Sequence, residues 1–140
     1  MRVRKSVELA IAALLALCVS ACSTGPKSKE VRKPVHPVHG QLLVGGKPAA
    51  GAYVFFVPVN EPPEPVDPRP RAEVGADGAF HVNMYGDKDG APVGEYIVTV
   101  MWEGEGGYDK LKGQYSDATK SKLRAVVKEG ANELPPFKLN

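Results

Sequence analysis

The chain has 140 residues, with 18 Lys and Arg against 16 Asp and Glu. A net charge of +2 leaves no surplus of basic residues to support the phosphate contacts that nucleic-acid affinity rests on. The length suits one domain with a single modest core once a leader is set aside.

At the N-terminus, Arg2, Arg4 and Lys5 precede an apolar run from Leu9 to Val19, followed by the small residues Ser20 and Ala21. This is the layout of a secretory signal peptide. The run is shorter than the roughly 20 residues a helix needs to cross about 30 Å of hydrocarbon, so a permanent transmembrane anchor is not expected. The four residues Val19-Ser20-Ala21-Cys22 resemble the lipobox of bacterial lipoproteins, in which an aliphatic residue and two small ones precede a cysteine. The resemblance implies that residues 1–21 are removed. Cys22 then becomes the N-terminus, carrying a thioether-linked diacylglycerol and a further acyl chain on its amine. Two or three acyl chains, at about 0.8 kcal/mol per buried methylene, would hold the protein on a bilayer almost permanently. Ser23 resembles the residue that directs lipoproteins to an outer membrane, facing the periplasm or the surface. The competing reading is an ordinary signal peptide with a chance cysteine. A Cys18–Cys22 disulfide would not survive cleavage, because Cys18 leaves with the leader.

Cleavage would take three of the eighteen basic residues and one of the sixteen acidic ones, leaving fifteen of each and a mature net charge of zero. Residues 22–36 are polar, basic and proline-bearing, without strand or helix periodicity, and read as a flexible tether. Lys27, Lys29, Arg32 and Lys33 would either be solvated or touch anionic lipid heads.

From residue 37 to 140 the pattern changes to short alternating segments divided by glycine and proline, the signature of an all-β sandwich. Val38, Gly40, Leu42 and Val44 share one parity, and the stretch GGKPAAG supplies a turn. In AYVFFVPV, Ala52, Val54 and Phe56 occupy one face and Tyr53, Phe55 and Val57 the other, so both faces are apolar. Such a strand is covered on both sides or displays a patch for a partner, and cover by a loop is the expected arrangement. Five prolines between Pro58 and Pro68 rule out a central strand or helix there. A hairpin is expected around Ala76-Asp77-Gly78, with Phe80, Val82 and Met84 inward. Tyr96, Val98, Val100 and Trp102 then alternate with Glu95, Ile97, Thr99 and Met101 in the clearest strand. Residues 103–121 form a polar excursion, and at most one short helix is expected, within 108–122. The last two strands, KLRAVVKEG and NELPPFKL, are joined by a turn at Glu129-Gly130-Ala131. Pro135-Pro136 implies an edge strand with a bulge.

The segments VHGQLLVGGKPAAGAYVFFVP, GADGAF, APVGEYIVTV and LRAVVKEGANELPPFKL resemble, in order and spacing, small planctomycete-type lipoproteins with a carboxypeptidase regulatory-like domain. That resemblance covers about residues 36–139 and implies a seven-stranded, transthyretin-like Greek-key sandwich. Its shared elements build turns and core, and in large carboxypeptidases this domain type is an accessory, so no peptidase activity follows. Leu43, Phe55 and Pro135-Pro136 depart from the family pattern.

Chemistry is sparse in the sequence. His36 and His39 are three apart, so on an extended strand they point to opposite faces and do not share a metal. His81 falls on an outward parity. The stretch DKDG, Asp87 to Gly90, offers oxygen ligands but lacks the later glutamate of a twelve-residue calcium loop, so it reads as a turn. No HExxH, G-x-S-x-G or phosphate-binding glycine loop occurs. No catalytic residue, metal ligand or cofactor is therefore assigned, and an enzyme is not expected. Two functional classes remain. One is a structural or protein-interaction module anchored through Cys22. The other is a module for carbohydrate or a cell-surface polymer, using Trp102, Tyr108 and Tyr115 of the 102–117 loop as the ligand or partner surface.

Overall fold

Leu42, Val54, Phe56, Val98 and Val100 are wholly shielded from solvent and sit at alternate positions along three strands, which orients the inner faces of two sheets. The computed structural model describes residues 31–60 and 68–140. The strands among them are β1 (Val38–Val44), β2 (Lys47–Pro48), β3 (Tyr53–Pro58), β4 (Arg71–Glu73), β5 (Ala79–His81), β6 (Gly94–Met101), β7 (Arg124–Val127), β8 (Asn132–Glu133) and β9 (Phe137–Leu139). The described residues form an all-β structure without a helix. Residues 108–122, where at most one short helix is expected, form successive turns.

One sheet is built on β1. Its even-numbered residues bond toward β2 and β5, as in Ala49 N–H to Leu42 O (3.3 Å) and Leu42 N–H to Gly78 O (2.8 Å). Its odd-numbered residues accept from the other side, as in Leu134 N–H to His39 O (2.9 Å). There β8 and β9 run parallel to it. The second sheet has the order β4-β3-β6-β7, antiparallel throughout. Phe56 of β3 meets Phe80 of β5 at 6.5 Å between ring centroids, joining the two sheets, while Phe80 stacks on Phe137 at 6.2 Å and Phe56 meets Tyr96 edge-on at 5.9 Å. Each such buried ring stabilises the fold by about 1.5–3 kcal/mol. Gly40 lies opposite Phe80, and a Cβ there would come within 2.7 Å of the ring, so the glycine makes the room that Phe80 fills.

One expected connection differs, and another is present as expected. Around Ala76-Asp77-Gly78 the chain does turn, with Gly75 N–H bonded to Ala79 O at 2.8 Å and Arg71 bridged to Asn83. The flanking strands β4 and β5 belong to different sheets, so the expected hairpin is a corner of the sandwich. The Gly130 turn likewise carries the chain from β7 in one sheet to β8 in the other, held by Lys128 N–H to Asn132 Oδ1 (2.9 Å) and Asn132 Nδ2 to Lys128 O (2.8 Å). The expected bulge is present. Residue partners across β1 differ by 94 at His39 and Glu133 and by 95 at Leu42 and Phe137, so Pro135-Pro136 holds one extra residue.

Among the described residues nine strands stand where seven were expected, because the bulge divides the last one and β2 is a separate two-residue return. The tether reading also changes at its end. Residues 22–30 lie outside the described residues. Arg32–Asn140 forms one unit, in which Arg32 sits 5.2 Å over the Tyr85 ring and Lys33 N–H bonds Tyr85 Oη at 3.1 Å.

Candidate functional site

Cys22 lies outside the described residues. The three aromatic residues of the 102–117 loop are described, and the chain disposes of them differently. Trp102 continues the inward parity of β6 and is half-buried against the core. Its Nε1–H donates to Ala50 O at 3.0 Å, and Lys110 Nζ lies 4.5 Å from its ring centroid. Tyr115 also packs on the core, and its carbonyl accepts from Val100 N–H at 2.9 Å. Tyr108 is 61% exposed at the tip of a tight return, where Gly104 N–H bonds Tyr108 O at 2.8 Å. Among the described residues no ring contact joins the three. Two of them close the end of the sandwich, and Tyr108 alone is presented to solvent.

The excursion that carries them is organised by Asp109. Its Oδ1 accepts from Trp102 N–H (3.1 Å) and Leu111 N–H (3.0 Å), and its Oδ2 from Gly113 N–H (2.8 Å). Burial pushes this carboxyl up, but the three donors favour its charged form more, and the pKa falls below the ordinary value. Asp89 repeats the device one loop earlier. Its two oxygens accept from the N–H groups of Met84 (2.7 Å), Tyr85 (2.9 Å) and Gly86 (2.9 Å). There too burial raises the pKa, the donated hydrogen bonds outweigh it, and the pKa falls below the ordinary value. The DKDG stretch is thus a turn whose carboxylate serves its own backbone. A lone residue type gave no signal for this, since the donors come from positions that only the folded loop brings near.

The histidines are placed by the sheets. His36 is bridged to Ala91 through His36 N–H to Ala91 O (2.9 Å) and Ala91 N–H to His36 O (3.0 Å), and its Nδ1 accepts from Gly130 N–H at 3.1 Å. It is therefore part of the sandwich and not a solvated tether residue. His39 and His81 are cross-strand partners on β1 and β5, with ring centroids 5.8 Å apart. The reading along the sequence compared His39 with His36 and missed this pair, which depends on strand register. Among the described residues no group of three or more His, Cys, Asp or Glu is preassembled for a metal ion.

The outer face of the second sheet carries Tyr53, Phe55, Val57, Ile97 and Met101, with the buried Thr99 opposite Phe55. Tyr53 and Phe55 stack at 6.4 Å between centroids, and the register sets Tyr53 beside Met101 and Val57 beside Ile97. Tyr53 and Met101 are each 38% exposed, so the full loop cover expected from the sequence does not extend to that end. Arg71 and Glu73 border the stripe on β4, and Arg124 borders it on β7. The chain matches no protein-family model and no curated protein.

Proposed function

We propose that the chain is a membrane-anchored, non-catalytic envelope lipoprotein whose β-sandwich acts as a structural or protein-interaction module. In this reading the sandwich is transthyretin-like, with Greek-key connections, of the carboxypeptidase regulatory-like type. The anchor is supported by the Val19-Ser20-Ala21-Cys22 box and its apolar leader. The observation that carries the interaction role is the Tyr53–Met101 end of the outer β3–β6 face, where an aromatic and an aliphatic side chain in register are each 38% exposed beside the half-buried Phe55. The face is backed by the wholly buried Val54, Phe56, Val98 and Val100 on the opposite parity.

Intact mass spectrometry of membrane-extracted protein tests the anchor. A chain beginning at Cys22 with added diacylglyceryl mass, absent from Cys22→Ser, is expected, and an unmodified chain cut elsewhere would overturn it. A photocrosslinking residue at position 53, in the anchored protein in its own membranes, tests the module. A discrete adduct from position 53 and none from exposed position 114 is expected; no adduct from 53 removes the interaction role.

Carbohydrate binding is the second reading, favoured by the exposure of Tyr108. Stacking on Trp102 has to compete with Lys110, already seated over its ring. Loss of oligosaccharide binding in Tyr108→Ala, with Tyr53→Ala unaffected, would move the proposal to this class.

A further inference from the structure

A row of three side chains crosses the outer face of the first sheet: His81 on β5, His39 on β1 and Glu133 on β8. The ladder bonds flanking the histidines run from Val82 N–H to Val38 O and from Leu42 N–H to Gly78 O, so the hydrogen-bonded partners are 38 with 82 and 42 with 78. His39 and His81 therefore form a non-hydrogen-bonded pair, the kind whose Cα atoms lie closest, at about 4.5 Å. Their rings face each other at 5.8 Å with a 35° tilt.

That separation suits a shared ion. An imidazole nitrogen binds zinc or a similar ion at about 2.0–2.1 Å, which puts each ring centroid roughly 3.2 Å from the metal. Two imidazoles on one tetrahedral ion then have centroids about 5.2 Å apart, and about 6.4 Å when they lie on opposite sides of it. The observed spacing falls between these limits. The backbone beneath is rigid, because Val38, Phe80 and Val82 on the inner parity are all buried. Glu133 is in register with His39 on the parallel strand, about 4.8 Å away across the ladder, and its side chain is exposed.

We infer that His39 and His81 bind one divalent transition-metal ion, with Glu133 swinging in as a third ligand. Imidazole and carboxylate donors suit Cu(II) and Zn(II), and Cu(II) binds most strongly to such a set. The site consists of two facing imidazoles on paired strands and one carboxylate on the next strand.

The test is titration of the tag-free full chain with Cu(II) at neutral pH, read by calorimetry and by electron paramagnetic resonance. One equivalent with two-nitrogen hyperfine structure is expected. His39→Ala and His81→Ala should each weaken binding at least tenfold, and Glu133→Gln by a smaller factor. Wild-type protein also allows a test without variants: Zn(II) should protect His39 and His81, but not His36, from acylation of the imidazole. No uptake by the wild type, unchanged binding in both alanine variants, or equal protection of all three histidines would overturn the site.

Discussion

Lys110 holds its ammonium 4.5 Å from the centre of the Trp102 ring while the Trp102 indole N–H is bonded to Ala50 O at 3.0 Å. The tryptophan is thus tied to the turn after β2 on one edge and capped by a cation on one face, which makes it a fastener between loop and core. Replacing it by Phe should remove the hydrogen bond and the larger ring and cost about 1–2 kcal/mol. Lys110→Ala should cost about 0.5–1 kcal/mol, the size of an exposed cation–π contact. Urea unfolding of both variants measures this. An effect of Trp102→Phe below that of Lys110→Ala would show that the indole does not fasten the loop.

Asp109 is expected to set the acid limit of the same loop. Its pKa is depressed in the folded protein, so its contribution is complete above the ordinary carboxylate value of 3.8 and is lost as pH falls through the lower folded value. Asp89 behaves alike. Melting temperature against pH should therefore fall below about pH 4 in the wild type, and less steeply in Asp109→Asn. At neutral pH, Asp109→Ala should cost about 1–2 kcal/mol, because three backbone donors lose their acceptor. Equal acid slopes in the variant and the wild type would contradict this.

Gly40 and Phe80 should be coupled. A Cβ on Gly40 would stand 2.7 Å from Phe80 Cζ, and the ring is pinned between Phe56 and Phe137. Gly40→Ala is expected to cost about 1–3 kcal/mol by overpacking. In a Phe80→Leu background its added cost should shrink, since the clashing atom is gone. A double-mutant cycle by chemical denaturation reads the difference, and strict additivity would refute the coupling.

The bulge at Pro135-Pro136 makes a prediction by deletion. Removing Pro136 alone restores simple alternation and leaves Phe137 opposite Leu42, so the fold should persist with a modest change in stability. Removing both prolines moves Phe137 one position along, onto the outer face, and should cost about 3–5 kcal/mol, the cost of losing a buried Phe. Thermal melts of the two deletions distinguish them. Equal destabilisation would mean that register at β9 is not governed by the bulge.

Alternation with period two is local, and the sequence therefore determined most strands and their faces. The split of Val54 and Phe56 from Tyr53 and Phe55 onto opposite faces, the shared parity of Tyr96, Val98 and Val100, and the interruption at Pro135-Pro136 were legible before any pairing was known, while which face of β3 lies inward was not. The apolar run from Leu9 to Val19 ahead of Cys22 is equally local. Pairing is not local. A hairpin and a sandwich corner share the same Gly and Asp signals, and only the partners of β4 and β5 separate them. The loop around Asp109 follows the same logic, because a carboxylate that collects N–H groups from residues 102, 111 and 113 has no periodic signature. Register between distant strands set His39 against His81 and beside Glu133, and packing tied Trp102 to Ala50. These relationships arise when the chain closes its two sheets over one core, since burying both inner faces selects a single register from many that the alternation alone allows.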